Sequence, residues 1–264
     1  RSSPSIRTNV IPGKSVNGSK LGVFVSWVVM RAKINARVLL NKLTFENYRS
    51  WVFKKYAQEI GFDTSGMLAN TLPPLYSFTK LPVISMTMSE LEFPHKLSKN
   101  IIYVGPMVYL HRKTENLNTA ESERLRKIFE RKEKEGKKLV YCSVGSLAEG
   151  YLPFLEKVIE AIDDLKDVIL ILSIGPKMNS KSFKSIPSNT YLFNWVPQPQ
   201  VINNCDCAIV TGGMNTINEC IHFMVPMLLY STGYTDQNGN VSRMKYHGLG
   251  LKGDIYVDSI DDKK

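Results

Sequence analysis

Cys207-Ala-Ile-Val210-Thr-Gly-Gly-Met-Asn-Thr-Ile-Asn-Glu219-Cys-Ile-His-Phe223 holds three structural signals in one short run. Cys207 to Val210 is apolar and of strand type. Gly212-Gly213 follows at once, and Asn215 to Phe223 reads as a helix. A strand, a glycine turn and a helix start together make a cradle for an anion. Glycine lets the backbone come close, and the N–H groups at a helix N-terminus point at the bound charge. A rival reading needs no ligand. Gly-Gly after a strand is a common tight turn, and Thr216-x-x-Glu219 has the form of a capping box that closes a helix start.

The flanking sequence extends the pattern. Val225 to Tyr230 reads as a second buried strand, and the polar turn after it ends at Asp236-Gln237. Ligands of open α/β sheets sit beyond the carboxyl ends of the strands, so both turns fall on one edge. Upstream, Lys138 to Val144 is a strand that ends at Gly145-Ser146. Leu152 to Leu165 is an amphipathic helix with Leu155, Val158, Ile159, Ile162 and Leu165 on one face. Val168 to Leu172 is continuously apolar, as a parallel strand covered on both faces requires. Tyr191 to Phe193 is the next strand, and Trp195 follows it. This order predicts a doubly wound α/β domain.

Taken together, Trp195-x-Pro-Gln198, Gly212-Gly-Met-Asn-Thr-x-x-Glu219, Val225-Pro-Met227, Asp236-Gln-x-x-Asn-x-x-Arg243 and Gly248-Leu-Gly250 closely resemble the donor-binding signature of UDP-glycosyltransferases. The spacing from Pro197-Gln198 to Gly212-Gly213 is similar to the bacterial macrolide-glycosyltransferase branch, and weaker likeness reaches back to Ser85. The resemblance implies a GT-B fold of two Rossmann-like domains. It also implies inverting transfer from a UDP- or TDP-sugar to a hydroxyl of a small lipophilic acceptor. In that reading Trp195 stacks on the donor's base beside Val196, and Gln198 meets base or ribose. Glu219 accepts from two ribose hydroxyls. Thr211, Gly212, Gly213, Asn215 and Thr216 surround the diphosphate, with Ser146 beside them. Asp236 and Gln237 hold the sugar's hydroxyls, while Asn240 and Arg243 have a structural role open to them. Neither a cofactor nor a metal is expected, the nucleotide-sugar being a co-substrate.

Two departures stand out. The family has His before Gly-Gly, and this chain has Thr211. The family's catalytic base is a His near the start of the first domain, and none of the four histidines fits that place. His95 follows Phe-Pro in a loop, His111 sits in the linker, His222 lies inside the helix after Gly-Gly, and His247 ends a later helix. The base is therefore expected upstream of Arg1. The chain of 264 residues is short for two Rossmann-like domains of roughly 150–200 residues each. Only part of the first is expected: residues 1–108 as the later part of an acceptor domain, 109–120 as linker, and 121–264 as a donor domain short of its C-terminal end. Tyr103-Val-Gly-Pro106 is similar to the close of the family's first domain.

Composition narrows the classes further. Hydrophobic residues make up 43%, enough for a core, and the formal charge is +10. The polar helix from Glu121 to Gly136 mixes both signs, which describes a solvated face and not a nucleic-acid grip. The basic balance suits an anionic nucleotide-sugar or peripheral contact with an acidic membrane equally. Leu21 to Met30 is apolar, but Arg31, Lys33 and Arg37 cut it short of the ~20 residues a span needs. An amphipathic helix over 21–40 that buries one face is expected instead, then a helix over 45–60 whose aromatics form core. Cys142, Cys205, Cys207 and Cys220 show no Cys-x-x-Cys spacing and read as reduced thiols in a cytoplasmic protein. Other readings stay open: a nucleotide-sugar-binding or catalytically lapsed protein, an epimerase, or a lipid-linked glycosyltransferase of the same fold.

Overall fold

A computed structural model of the protein describes residues 48–65, 67–68, 77–78, 81–94, 99, 101–110, 118–145, 151–233 and 236–255, together with scattered helical positions between 21 and 40. The chain forms two compact units. Described residues up to Ser85, with those of Pro94–Tyr103, make the first; Met86–Phe93 and the described residues from Val104 onward make the second.

In the first unit, α1 is Tyr48–Glu59. Strands β1 (Met67–Leu68) and β2 (Ser77–Phe78) pair antiparallel. Strands β3 (Val83–Ser85) and β4 (Ile101–Tyr103) pair parallel. The positions between 21 and 40 are helical as expected, but Leu21, Phe24, Val25, Val28, Val29, Leu39 and Leu40 are exposed, not buried. Ala57 alone is buried among the described side chains of α1. Phe53 is half-buried against Phe62, and Tyr56 is exposed. The expected aromatic core therefore does not extend to Tyr56; the side chains at 45, 48 and 51 lie outside the described residues.

The second unit is built on six parallel strands in the order β10-β9-β8-β5-β6-β7. These are β5 (Lys138–Ser143), β6 (Val168–Ser173), β7 (Thr190–Phe193), β8 (Cys207–Val210), β9 (Met227–Ser231) and β10 (Gly250–Asp254). Helices α2 (Thr119–Glu135), α3 (Leu152–Asp163), α4 (Gln198–Asn204), α5 (Met214–His222) and α6 (Gln237–Tyr246) accompany them. Alternating strand residues feed two cores. One gathers Leu139, Tyr141, Ile169 and Ile171 with Leu125 and Ile128 of α2 and Ile217 of α5. The other gathers Cys142, Leu170 and Leu172 with Leu155, Val158 and Ile162 of α3. A sheet covered on both faces explains the continuous apolar reading of β6.

The ends are chemically marked. Asn118 caps α2 by accepting from the Glu121 N–H at 2.8 Å, and Gly136 ends it at φ 63°. The β7 edge is covered by the same helix. Arg124 donates to the Leu192 carbonyl and Arg131 to the Ser188 carbonyl, each at 3.0 Å. Leu192 lies on β7 and Ser188 in the turn before it; a cation on an edge strand's acceptor discourages pairing with another chain.

At the turn between α5 and β9, Met224 has φ 57° and is 89% exposed. A left-handed conformation costs an L side chain about 1–2 kcal/mol, which glycine avoids. Met224→Gly is expected to stabilise the protein by about 0.5–1 kcal/mol, after glycine's extra freedom in the unfolded chain is subtracted. Urea unfolding at equilibrium measures it; a loss of stability would show that the exposed methionine contributes contacts of its own.

Candidate nucleotide site

The strand order reverses between β5 and β8. The chain runs outward from β5 through β6 to β7, then returns to lay β8 on the other side of β5. A ligand crevice opens outside the carboxyl ends of the strands at such a point. The turns after these two strands are neighbours: a Cβ on Gly145 would lie 3.9 Å from Thr211 Oγ1.

Gly212 and Gly213 are glycine for different reasons. Gly212 has φ 88°, and a Cβ there would stand 2.5 Å from Val241 Cγ2 on α6. Its carbonyl accepts from Asn240 Nδ2 at 3.1 Å. Packing of α6 therefore requires this glycine. Gly213 is the N-cap of α5, in extended conformation, and a Cβ there would meet no neighbour within 4 Å. Close approach by a ligand is thus a property of Gly213. No side chain caps α5. Thr216 lies inside the helix and not ahead of it, so the capping-box reading does not hold: the helix begins at Met214. Its first N–H groups face the crevice with the positive end of the helix dipole.

Glu219 is 1% exposed, one turn further along α5. A buried carboxylate needs hydrogen-bond donors. Gln198, the first residue of α4, supplies one: its Nε2 donates to Glu219 Oε2 at 2.5 Å and to Thr216 Oγ1 at 3.1 Å. Tyr141 of β5 donates from below to Gln198 Oε1 at 3.1 Å. Strand β5 and helices α4 and α5 thereby meet in one polar network. On the other side, Gln237 Oε1 accepts from the Thr232 N–H (2.9 Å) and hydroxyl (2.7 Å), which fixes the turn after β9. Asp236 is exposed, and its Oδ2 accepts from Asn240 Nδ2 at 3.2 Å.

The family model described as UDP-glucoronosyl and UDP-glucosyl transferase matches residues 25–262. The chain belongs to this family. A zeaxanthin glucosyltransferase of Pantoea ananas is 25% identical over 217 residues, covering 81% of this chain and 48% of that protein. The NDP-glycosyltransferase YjiC of Bacillus subtilis is 26% identical over 191 residues, covering 69% and 47%. Among solved structures, the calicheamicin glycosyltransferase CalG4 superposes with a TM-score of 0.54 at 15% identity, over 83% of this chain and 52% of its own. That likeness carries the fold, which is GT-B. The chain spans about half the length of the curated relatives it matches.

Within this UDP-glycosyltransferase framework the expected site residues fall unevenly. Thr211, Gly212, Gly213, Asn215, Thr216 and Glu219 line the turn and first turns of α5, and Gln198 joins them. Trp195 is half-buried between β7 and α4. Val196 is buried at 4% in the core, so only its backbone could face a ligand. Asp236 and Gln237 stand at the start of α6, brought to the Gly212 turn by Asn240. Ser146 lies outside the described residues, as do His95 and His111. His222 and His247 each close a helix that starts at the carboxyl edge and runs away from it. His247 Nε2 is 3.3 Å from the Glu92 carbonyl, a structural position.

Two features escaped sequence reasoning. Tyr141 carried no signal beyond its place in a strand, because its partner is far away in sequence. The segment Met86–Phe93 belongs to this unit. Leu91 and Phe93 are buried, Met86 O accepts from Asn218 Nδ2 at 3.1 Å, and Glu92 pairs with Arg243 at 3.0 Å. Arg243 also lies over the Phe93 ring at 5.3 Å. The three-residue spacing of Asn240 and Arg243 along α6 could have shown that both face inward. Among the described residues no group of three or more His, Cys, Asp or Glu is placed to hold a metal ion. The four cysteines are free, and burial pushes the Cys205 thiol up to about 12. Burial raises Cys142, Cys207 and Cys220 as well, which disfavours the thiolate form at each.

The two glycines give a paired test. Gly212→Ala should destabilise the protein by about 2 kcal/mol or more, from left-handed strain plus overlap with Val241. Gly213→Ala should change stability by less than about 1 kcal/mol, while weakening nucleotide binding. Thermal unfolding and calorimetric titration of the two variants separate these effects.

Proposed function

We propose that the protein is a glycosyltransferase that takes its sugar from a UDP-sugar, with TDP-sugar as the lesser alternative. The acceptor is a hydroxyl of a small lipophilic molecule. The observation that carries this reading is the uncapped start of α5 beside the open face of Gly213, with the buried Glu219 one turn away. A diphosphate suits the first and a ribose diol suits the second. The relatives' names, a glucosyltransferase and an NDP-glycosyltransferase, accord with a nucleotide-sugar donor.

On this reading the base stacks on Trp195, Glu219 accepts from the ribose hydroxyls, and the backbone of Gly213 to Thr216 holds the diphosphate. Asp236 and Gln237 face the sugar. The reaction is a direct displacement at the anomeric carbon with inversion. A base takes the acceptor's proton while the nucleoside diphosphate departs. Charge on the leaving group is met by backbone N–H groups and the α5 dipole, because Thr211 offers a hydroxyl where the family has an imidazole. Neither a metal nor a cofactor takes part. Residues 1–108 belong to the acceptor side, except Met86–Phe93, which packs within the donor unit; 109–120 form the linker and 121–264 hold the donor. Among the described residues no helix is long and apolar enough to cross a membrane. We place the activity in the cytoplasm on the free thiols of the four cysteines. Thr211, only 7% exposed, favours one second reading: a protein that binds nucleotide-sugars without transferring them.

Calorimetric titration with UDP tests the site. Trp195→Ala should weaken binding roughly tenfold, as lost base stacking is worth about 1–3 kcal/mol. Glu219→Gln should weaken it by roughly ten- to a hundredfold, since a charge-assisted hydrogen bond contributes about 1.5–3 kcal/mol. Full UDP affinity in both variants would remove the reading. A transferase assay with a UDP-sugar and hydroxylated acceptors separates the enzyme from the binder.

A further inference from the structure

Tyr141 is 1% exposed at the middle of the sheet, in register with Ile171 on one side and Ala208 on the other. A tyrosine there could be nothing more than core. Its hydroxyl has a defined direction, however, and elimination fixes it. Glu219, as a carboxylate, can only accept. The Gln198 atom at 2.5 Å from it must therefore be the amide nitrogen, and the amide oxygen is turned toward Tyr141. That oxygen can only accept, so the Tyr141 hydroxyl must donate. Burial raises Tyr141 far above the range of an ordinary phenol, with hydrogen bonding to Ser143 and Ser173 acting in the opposite sense. The phenol keeps its proton at every working pH and remains a donor.

We propose that Tyr141 is a positioning residue for the donor's ribose: its hydroxyl fixes the Gln198 amide, and through that amide the place of the Glu219 carboxylate. This rests on the reading of Glu219 as the ribose contact. Without the Tyr141 bond, the Gln198 amide can rotate about its last torsion, which is broad and roughly two-fold. A full flip is resisted, because it would set the amide oxygen against the Glu219 carboxylate, but with its oxygen unanchored the amide rocks about that torsion and its nitrogen no longer holds one place. The carboxylate would then lose its fixed place against the 2′ and 3′ hydroxyls. The consequence is specific. Stacking on Trp195 and the backbone N–H contacts to the diphosphate do not pass through Tyr141, although Gln198 also holds the Thr216 hydroxyl, so removal of Tyr141 should erode discrimination by the ribose 2′ hydroxyl more than overall nucleotide affinity.

The experiment compares UDP with 2′-deoxy-UDP by calorimetry on the wild-type protein, on Tyr141→Phe and on Gln198→Met. Tyr141→Phe keeps the ring volume, and melting temperature confirms that each variant is folded. The wild type should prefer UDP roughly tenfold, the worth of one hydrogen bond to a charged group. In Tyr141→Phe the preference should shrink to about threefold or less, mainly through weaker UDP binding, and Gln198→Met should reproduce the shrinkage. If Tyr141→Phe does not fold, Gln198→Met decides alone. An unchanged preference in the folded variants overturns the proposal and returns Tyr141 to the core. Equal wild-type affinity for the two nucleotides also overturns it, and leaves nucleotide binding intact. Binding of neither nucleotide by the wild type fails the donor reading itself.

Discussion

The contact between Gly212 and Val241 sets the geometry on which the site depends. A Cβ at Gly212 would stand 2.5 Å from Val241 Cγ2, so helix α6 approaches the turn after β8 more closely than any other residue would allow. Asn240 completes the contact by donating both to the Gly212 carbonyl and to Asp236. Two helix N-termini, those of α5 and α6, therefore come to one edge of the sheet. Helix dipoles aligned in this way favour negative charge at that edge.

A second constraint is the burial of Glu219. Removing an isolated carboxylate from water costs several kcal/mol unless donors replace the lost solvent. Gln198 and its support from Tyr141 supply this within the protein. The carboxylate is thereby held before any ligand arrives, and less ordering remains to be done on binding. The same strands that make the core carry the network: Tyr141 belongs to one hydrophobic core and still reaches the site with its hydroxyl.

Much of this was legible in residue order, for identifiable reasons. Strands β5, β6 and β8 are covered on both faces and announce themselves as continuous apolar runs. Helix α2 carries its own stop in Gly136 and a narrow apolar stripe of Leu125 and Ile128. Strand β10 was not legible. Gly250-Leu-Lys-Gly-Asp254 has no strand pattern, and its pairing follows from β9, where a Cβ on Gly250 would meet the Met227 carbonyl at 2.6 Å. Thr216-x-x-Glu219 misled because a capping box and a ligand-facing helix turn share residue types. Only the observed helix start separates them. The docking of Met86–Phe93 rests on the Glu92–Arg243 pair, which residue order does not reveal. The exposed apolar positions at 21–40 differ from expectation because burial depends on what packs against a helix, which its own period cannot specify.

The most direct measurement is a crystal structure of the protein soaked with UDP. The expected density places the diphosphate at Gly213 and the start of α5, the ribose on Glu219 and the base on Trp195. UDP in another place would contradict the assignment. The open groove of about 550 Å³ along α2, lined by Glu123, Arg124, Lys127, Arg131 and Tyr191 and by none of the assigned donor residues, is the place to look for such an outcome.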